Sequence, residues 1–215
     1  MRGNLDSQLE ILNIELIKMG ALCEEAIMAA VSGMLDNDIK KLDKVFSSDS
    51  DIDKIEQDIE HLCTKLILQQ QPVAKDLRQI TAALKMISDM ERIGDQASDI
   101  AEMVPYVIGN GTQSETHIGK MAKEVIRMTN ESIDSFVKKD LSLAKKVIKD
   151  DDIVDELFLQ IKKELINLVQ QDNSNGEYYM DLLMIAKYLE RIGDHTTNIA
   201  EWVEYTITGK HQSYE

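Results

Sequence analysis

Met90-Glu91-Arg92-Ile93-Gly94-Asp95-Gln96-Ala97-Ser98-Asp99-Ile100-Ala101-Glu102 returns 99 residues later as Leu189-Glu190-Arg191-Ile192-Gly193-Asp194-His195-Thr196-Thr197-Asn198-Ile199-Ala200-Glu201, identical at 8 of 13 positions. A repeat of this length inside one chain marks a duplicated structural unit. The block also reads as helix. Ile93, Ala97, Ile100 and Val104 recur at three- and four-residue steps, the spacing of one helix face.

Working upstream, Leu77, Ile80, Leu84 and Ile87 extend that helix back to about Ala74, behind the Gln71-Pro72 turn, since a helix stops at or before the residue preceding proline. Ile52, Ile55, Ile59, Leu62 and Leu66 predict a helix ending near Gln70. Before it, Asp38 is expected to cap a short helical insert reaching Phe46, with Ser47 to Asp51 as a polar break. Leu9, Leu12, Leu16, Met19, Cys23, Ala26, Ala30 and Met34 predict a first long helix over Leu5 to Leu35. Downstream, the third helix should falter near Pro105, and Gly109-Asn110-Gly111-Thr112 is the expected boundary between halves.

The second half repeats this plan. His117 to Lys138 is the first helix, and Lys139 to Ile148 matches the Asp38 insert at an offset of 102. Asp151 to Gln171 follows, then the Asp172-Asn173-Ser174-Asn175-Gly176 turn, then a helix from Glu177 to about Thr206. The offset falls from 102 to 99 across that turn, a three-residue deletion. The fold expected is all-α: two tandem, duplicated three-helix bundles with short helical inserts, the first over residues 1–108 and the second over 114–215.

Composition narrows the function. With 39 acidic and 24 basic residues the net charge is −15, which repels nucleic acid and anionic lipid and attracts cations or basic protein surfaces. No apolar run nears the ~20 residues that span a bilayer, so no membrane insertion is expected. Cys23 and Cys63 form no CxxC pair and read as reduced thiols of a cytoplasmic protein. There is no Glu-x-x-His motif, phosphate loop or nucleophile elbow.

The chemistry must then sit on the acids. Glu91, Asp95, Asp99 and Glu102 fall within roughly 80° of one another at 100° per residue. The preceding helix carries Asp49, Asp53, Glu56 and Glu60; the second half has Asp151 and Asp155, then Glu190, Asp194 and Glu201, with Asn198 where the first half has Asp99. In an antiparallel hairpin, residues equidistant from the turn lie level. Asp53/Glu91 and Asp49/Asp95 both centre on Pro72, and Asp155/Glu190 and Asp151/Asp194 both centre inside the Asp172-Asn173 turn. Each half should therefore bring four carboxylates to one level. Such a group repels itself unless neutralised. A hard cation (Mg²⁺, Ca²⁺, Mn²⁺, iron, or zinc) is one solution; salt bridges to residues such as Arg92 and Arg191, or simple solvation, are the others. Gly94 and Gly193, costly mid-helix by about 1 kcal/mol, suggest close helix approach. His195 points about 100° away from Asp194 and reads as a partly exposed histidine.

The duplicated Glu-Arg-Ile-Gly-Asp block, led into by Gln71-Pro72-Val73-Ala74-Lys75-Asp76-Leu77-Arg78, resembles the PhoU family over nearly the whole chain. That resemblance implies a cytoplasmic homodimeric regulator of phosphate uptake that links a phosphate ABC transporter to a sensor histidine kinase and keeps phosphate-starvation signalling off. It also implies iron or zinc clusters, or magnesium or manganese, on the pairs Asp49/Asp53, Glu91/Asp95, Asp151/Asp155 and Glu190/Asp194; the stripe itself adds Asp99 to the first site, and Asn198 in its place puts the second cluster's nuclearity in question. The alternatives are a ligand-free helical scaffold and a carboxylate-bridged di-metal enzyme.

Overall fold

The computed structural model describes residues 2–108, 117–171 and 173–210. Six long helices follow in order: α1 (Arg2–Leu35), α2 (Leu42–Gln70), α3 (Ala74–Val107), α4 (Ile118–Lys138), α5 (Leu141–Gln171) and α6 (Gly176–Thr208). No strand occurs among the described residues. The Gly109–Thr112 boundary and Asp172 lie outside them. No described helix is long and apolar enough to cross a membrane.

α1–α3 and α4–α6 each pack as a three-helix unit, α2 and α5 keeping to their own halves. The most extensive pairing, however, joins α3 to α6 across the halves, and α1 also packs on α4. The buried apolar residues form one continuous core through both units. α3 is two-faced for this reason: Ile80 and Ile87 on one side and Met86, Ile93, Ala97, Ile100 and Val104 on the other are all 2% exposed or less.

The short inserts differ from expectation. The Asp38 segment holds only one 3₁₀ turn, Ile39–Lys41, and from Leu42 a single helix runs through the polar stretch to Gln70. In the second half α5 likewise runs unbroken from Leu141. The reason is the buried row beneath the polar residues. Leu42, Val45, Ser48 and Ile52 keep helical spacing, as do Ala144, Val147, Val154 and Leu157, so packing overrides the weak propensity of Ser and Asp. Pro105 is held inside α3, which ends two residues later, at Val107.

The turns are duplicated in detail. After α1, Asn37 adopts φ 53° and Asp38 N–H bonds the Gly33 carbonyl; after α4, Lys139 adopts φ 53° and Asp140 N–H bonds the Ser135 carbonyl. Both are left-handed caps that satisfy the last helical carbonyls. Asp38 then accepts Lys40 N–H, and Asp140 accepts Ser142 and Leu143 N–H.

Both thiols sit in the core. Cys23 Sγ donates to the Met90 carbonyl across α1 and α3 at 3.4 Å. Burial pushes Cys23 and Cys63 up to about 12, and the thiolate is the reactive form. Iodoacetamide at mildly alkaline pH should therefore leave both unmodified in the native protein and alkylate both in strong guanidinium chloride, read by intact mass. Fast native labelling of either would contradict the packing.

Candidate functional site

The hairpin geometry read from the midpoints is what the helices adopt. A Cβ added at Gly94 of α3 would lie 3.0 Å from Ile52 Cδ1 and 3.1 Å from Asp49 Oδ1 of α2. At Gly193 of α6 the neighbours are Val154 Cγ1 at 3.2 Å and Asp151 Oδ1 at 3.3 Å, on α5. The two glycines are the points where the acid-bearing helices meet. Beside each, the equivalent carboxylates share a pattern of exposure. Asp49, Glu91, Asp151 and Glu190 are half-buried, whereas Asp53, Asp95, Asp155 and Asp194 are exposed. Asp99 is half-buried too.

Their protonation equilibria register this crowding. Burial first, then Asp95, Asp53 and Asp99, raise the pKa of Asp49, while the Ser98 hydroxyl works against the shift. Glu91 is raised by burial, Asp95 and Glu56; Asp95 by burial and Asp53; Asp99 by burial, Glu102 and Asp95. In the second half, burial followed by Asp194 and Asp155 lifts Asp151 from 3.8 to about 6. Burial and then Glu190 raise both Asp155 and Asp194. Every level partner expected from the sequence thus acts on its counterpart.

Compensation is partial and differs between the copies. Arg92 lowers Glu91 and Asp95, and Arg191 reaches across the halves to lower Asp99. In the second copy Lys187 pairs with Glu190 and stacks over Phe158 at 5.5 Å. Sequence reasoning passed over Lys187, although its place three residues before Glu190 puts it on the same face. It also passed over the hydroxyls at Ser98 and Thr197, which occupy equivalent places and each face a half-buried aspartate. His195 is more engaged than expected: its Nδ1 lies 2.9 Å from Asp89 Oδ1 on α3, and Asn198 Nδ2 donates to the same oxygen at 3.1 Å.

The donors suit a hard cation: every one is a carboxylate oxygen, and Asp49 Oδ1 is buried without a hydrogen-bond partner, a costly state for an acceptor. Among the described residues no three His, Cys, Asp or Glu side chains converge closely enough to enclose an ion. The levels are carboxylate-rich faces with their side chains fanned apart.

The PhoU domain model matches this chain twice, over residues 16–104 and 118–203. A phosphate-specific transport system accessory protein PhoU homolog from Clostridium acetobutylicum is 38% identical over 211 residues, covering 97% of this chain and 96% of its own. The homolog from Pseudomonas aeruginosa is 31% identical over 206 residues, covering 95% and 85%. The crystal structure of PhoU from Pseudomonas aeruginosa superposes with a TM-score of 0.89 at 31% identity, covering 95% of this chain and 99% of that one. That of the phosphate transport system regulatory protein PhoU from Streptococcus pneumoniae gives 0.90 at 25% identity, covering 97% and 99%.

Two outcomes follow from the geometry. A carboxyl whose folded pKa is raised contributes stability at low pH and loses it as pH climbs through the folded value; for Asp151 that window runs from 3.8 to about 6. Thermal unfolding in chelator-treated buffer should shift upward from about pH 7 to about pH 5. Asp151→Asn should raise the neutral-pH midpoint and flatten that rise; a midpoint falling over the same range would contradict the electrostatic account. Gly94→Ala gains about 1 kcal/mol of helix propensity but crowds Ile52 and Asp49, and overpacking costs about 1–3 kcal/mol. A net loss near 1 kcal/mol is expected by urea titration, with Gly193→Ala closer to neutral.

Proposed function

This chain belongs to the PhoU family, and from that premise we propose that it is a non-catalytic, cytoplasmic accessory protein of phosphate-specific transport. In this reading it restrains the phosphate ABC transporter and keeps the sensor histidine kinase of phosphate-starvation signalling off. Its relatives are named accessory and regulatory proteins of that transport system. The observation that carries the metal-binding part is the duplicated carboxylate level, built twice at equivalent places and raised in pKa in both copies.

Asp49, Asp53, Glu91 and Asp95, with Asp99, would hold a metal in the first half; Asp151, Asp155, Glu190 and Asp194 would do so in the second. A bound cation supplies the positive charge that each level lacks. Hard oxygen donors accept iron, magnesium, manganese or calcium, and zinc also binds carboxylates. The first level is the stronger candidate, because it has Asp99 where the second has Asn198, and Lys187 pairs directly with Glu190 of the second. Ile11, Ile14 and Ile17, each 42–46% exposed on α1, offer an apolar strip for a second copy, in keeping with a homodimer.

Protein purified without chelator should carry metal by elemental analysis, and the Glu91→Ala, Asp95→Ala double variant should carry less. Metal-free protein from both preparations would remove the metal part of the reading. In a host lacking this gene, a phosphate-starvation reporter should be active under plentiful phosphate and silenced again by the wild-type chain. A reporter indifferent to the deletion would remove the regulatory part.

A further inference from the structure

In a chain of net charge −15, one cavity gathers three cations and no carboxylate. It has a volume of about 330 Å³ and lies where the start of α3 meets the ends of α4 and α6. Lys75 and Arg78 come from α3, Phe136 and Lys139 from the end of α4, and Thr206 and Ile207 from α6. Gln79 completes the wall and donates across to Asn13 of α1 at 3.4 Å.

The cations are uncommitted. Among the described residues, none of Lys75, Arg78 and Lys139 forms an ion pair, whereas the neighbouring Lys138 is paired with Asp134 at 2.6 Å. Asp140, next in sequence to Lys139, is occupied as the cap of α5 by Ser142 and Leu143. Arg78 Nε is buried without a hydrogen-bond partner. The end of α6 closes on this guanidinium, since a Cβ at Gly209 would lie 3.6 Å from Arg78 Cζ. The left-handed turn at residue 139 fixes where Lys139 leaves the backbone.

The duplication supplies a control. The residues 99 positions after Lys75, Arg78 and Gln79 are Ser174, Glu177 and Tyr178, and the residue 102 before Lys139 is Asn37. The corresponding cavity at the opposite end of the α3/α6 pair is lined by Tyr106, Ser174, Glu177 and Asp181. The basic cluster is thus no by-product of the repeat; one end turned basic and the other acidic. Cations near the C-termini of α4 and α6 are favourable for the helix dipoles, and Lys139 and Arg78 sit there. That accounts for two of the positive charges and leaves the third, and the cavity, without a reason. Three like charges around a concavity are unfavourable without a counter-anion.

We propose that this cavity binds a small phosphorylated molecule, its phosphoryl group held by Arg78, Lys75 and Lys139 and its body against Ile207 and Phe136. Three cations match a phosphoryl dianion better than a single carboxylate, and a guanidinium fork suits phosphoryl oxygens. The volume lies at the lower end of the about 300–1,000 Å³ typical of small-molecule sites, more room than a bare phosphate fills. The site lies roughly 20 Å along α3 from Glu91, at 1.5 Å per residue, and does not rest on the function proposed for the carboxylate levels.

Isothermal titration of the full chain with adenosine monophosphate, ribose 5-phosphate, adenosine and inorganic phosphate tests it. One or both organic phosphates should bind saturably and more tightly than inorganic phosphate, and adenosine should not bind. Arg78→Gln and, separately, Lys139→Gln should each weaken binding by at least about tenfold, while Glu177→Gln at the opposite end should leave it unchanged. Lys139 is exposed, so its variant keeps the test valid if Arg78→Gln fails to fold. No saturable binding of any phosphate probe, or binding indifferent to both basic-to-Gln changes, overturns the site. Equal affinity for inorganic phosphate overturns the role given to the apolar wall.

Discussion

At Gly94 and Gly193 a helix backbone stands bare where a second helix lies against it, and the arrangement of the carboxylates depends on that approach. Ile52 and Val154 fill the space where a Cβ would be. They draw α2 onto α3 and α5 onto α6 closely enough that Asp49 and Asp151 lose part of their water. Desolvation is accordingly the first cause of every raised carboxyl in the two levels, ahead of any single neighbouring charge. A wider spacing would relax the acids, and it would also strip Ile52 and Val154, both fully buried, of their packing. Apolar burial of about 1.5–3 kcal/mol per side chain holds together what the charges push apart.

The halves are joined less symmetrically than they are built. The α3/α6 contact contains Asp89, which receives both His195 and Asn198 from the other half. The place equivalent to Asp89 is occupied by Tyr188, and that equivalent to His195 by Gln96, so this clamp exists once. Asn198 is the position where the second acidic stripe loses a carboxylate. Its amide, unlike an ionised carboxylate, donates to Asp89, so the lost acid has become a link between halves. On the other side of the joint, a Cβ at Gly20 would lie 2.1 Å from Ile133 Cδ1, so α1 and α4 also depend on a bare backbone for their contact.

Much of this was legible in the sequence because helical hairpins are local objects. The three- and four-residue spacing of Leu12, Leu16, Met19 and Cys23 required a buried face, and those residues are fully buried. The midpoints at Pro72 and at the Asp172-Asn173 turn required Asp49 to meet Asp95 and Asp151 to meet Asp194, and each pair interacts. The polar run at Ser47 to Asp51 misled for a definite reason: propensity speaks for isolated segments, and the buried row from Val45 to Ile52 speaks louder. Asp89 and Arg78 were not legible at all. Their surroundings come from helices more than 50 residues away in the chain, and no periodicity within one helix reports on those.

α3 carries residues of the cavity, of the clamp and of the first carboxylate level. Its N-terminal turns carry Lys75 and Arg78, its middle carries Asp89, and its C-terminal half carries Glu91, Asp95 and Asp99. Repulsion within the first carboxylate level acts on the same rigid rod that packs on α6, and α6 carries the second level on another face. Neutralising one level therefore changes a force on the helix that the two halves share. The α3/α6 pair also ends in opposite charges, basic beside Arg78 and acidic beside Glu177. An anion at one end and a cation at either level would bear on that one helix pair by electrostatics of opposite sign.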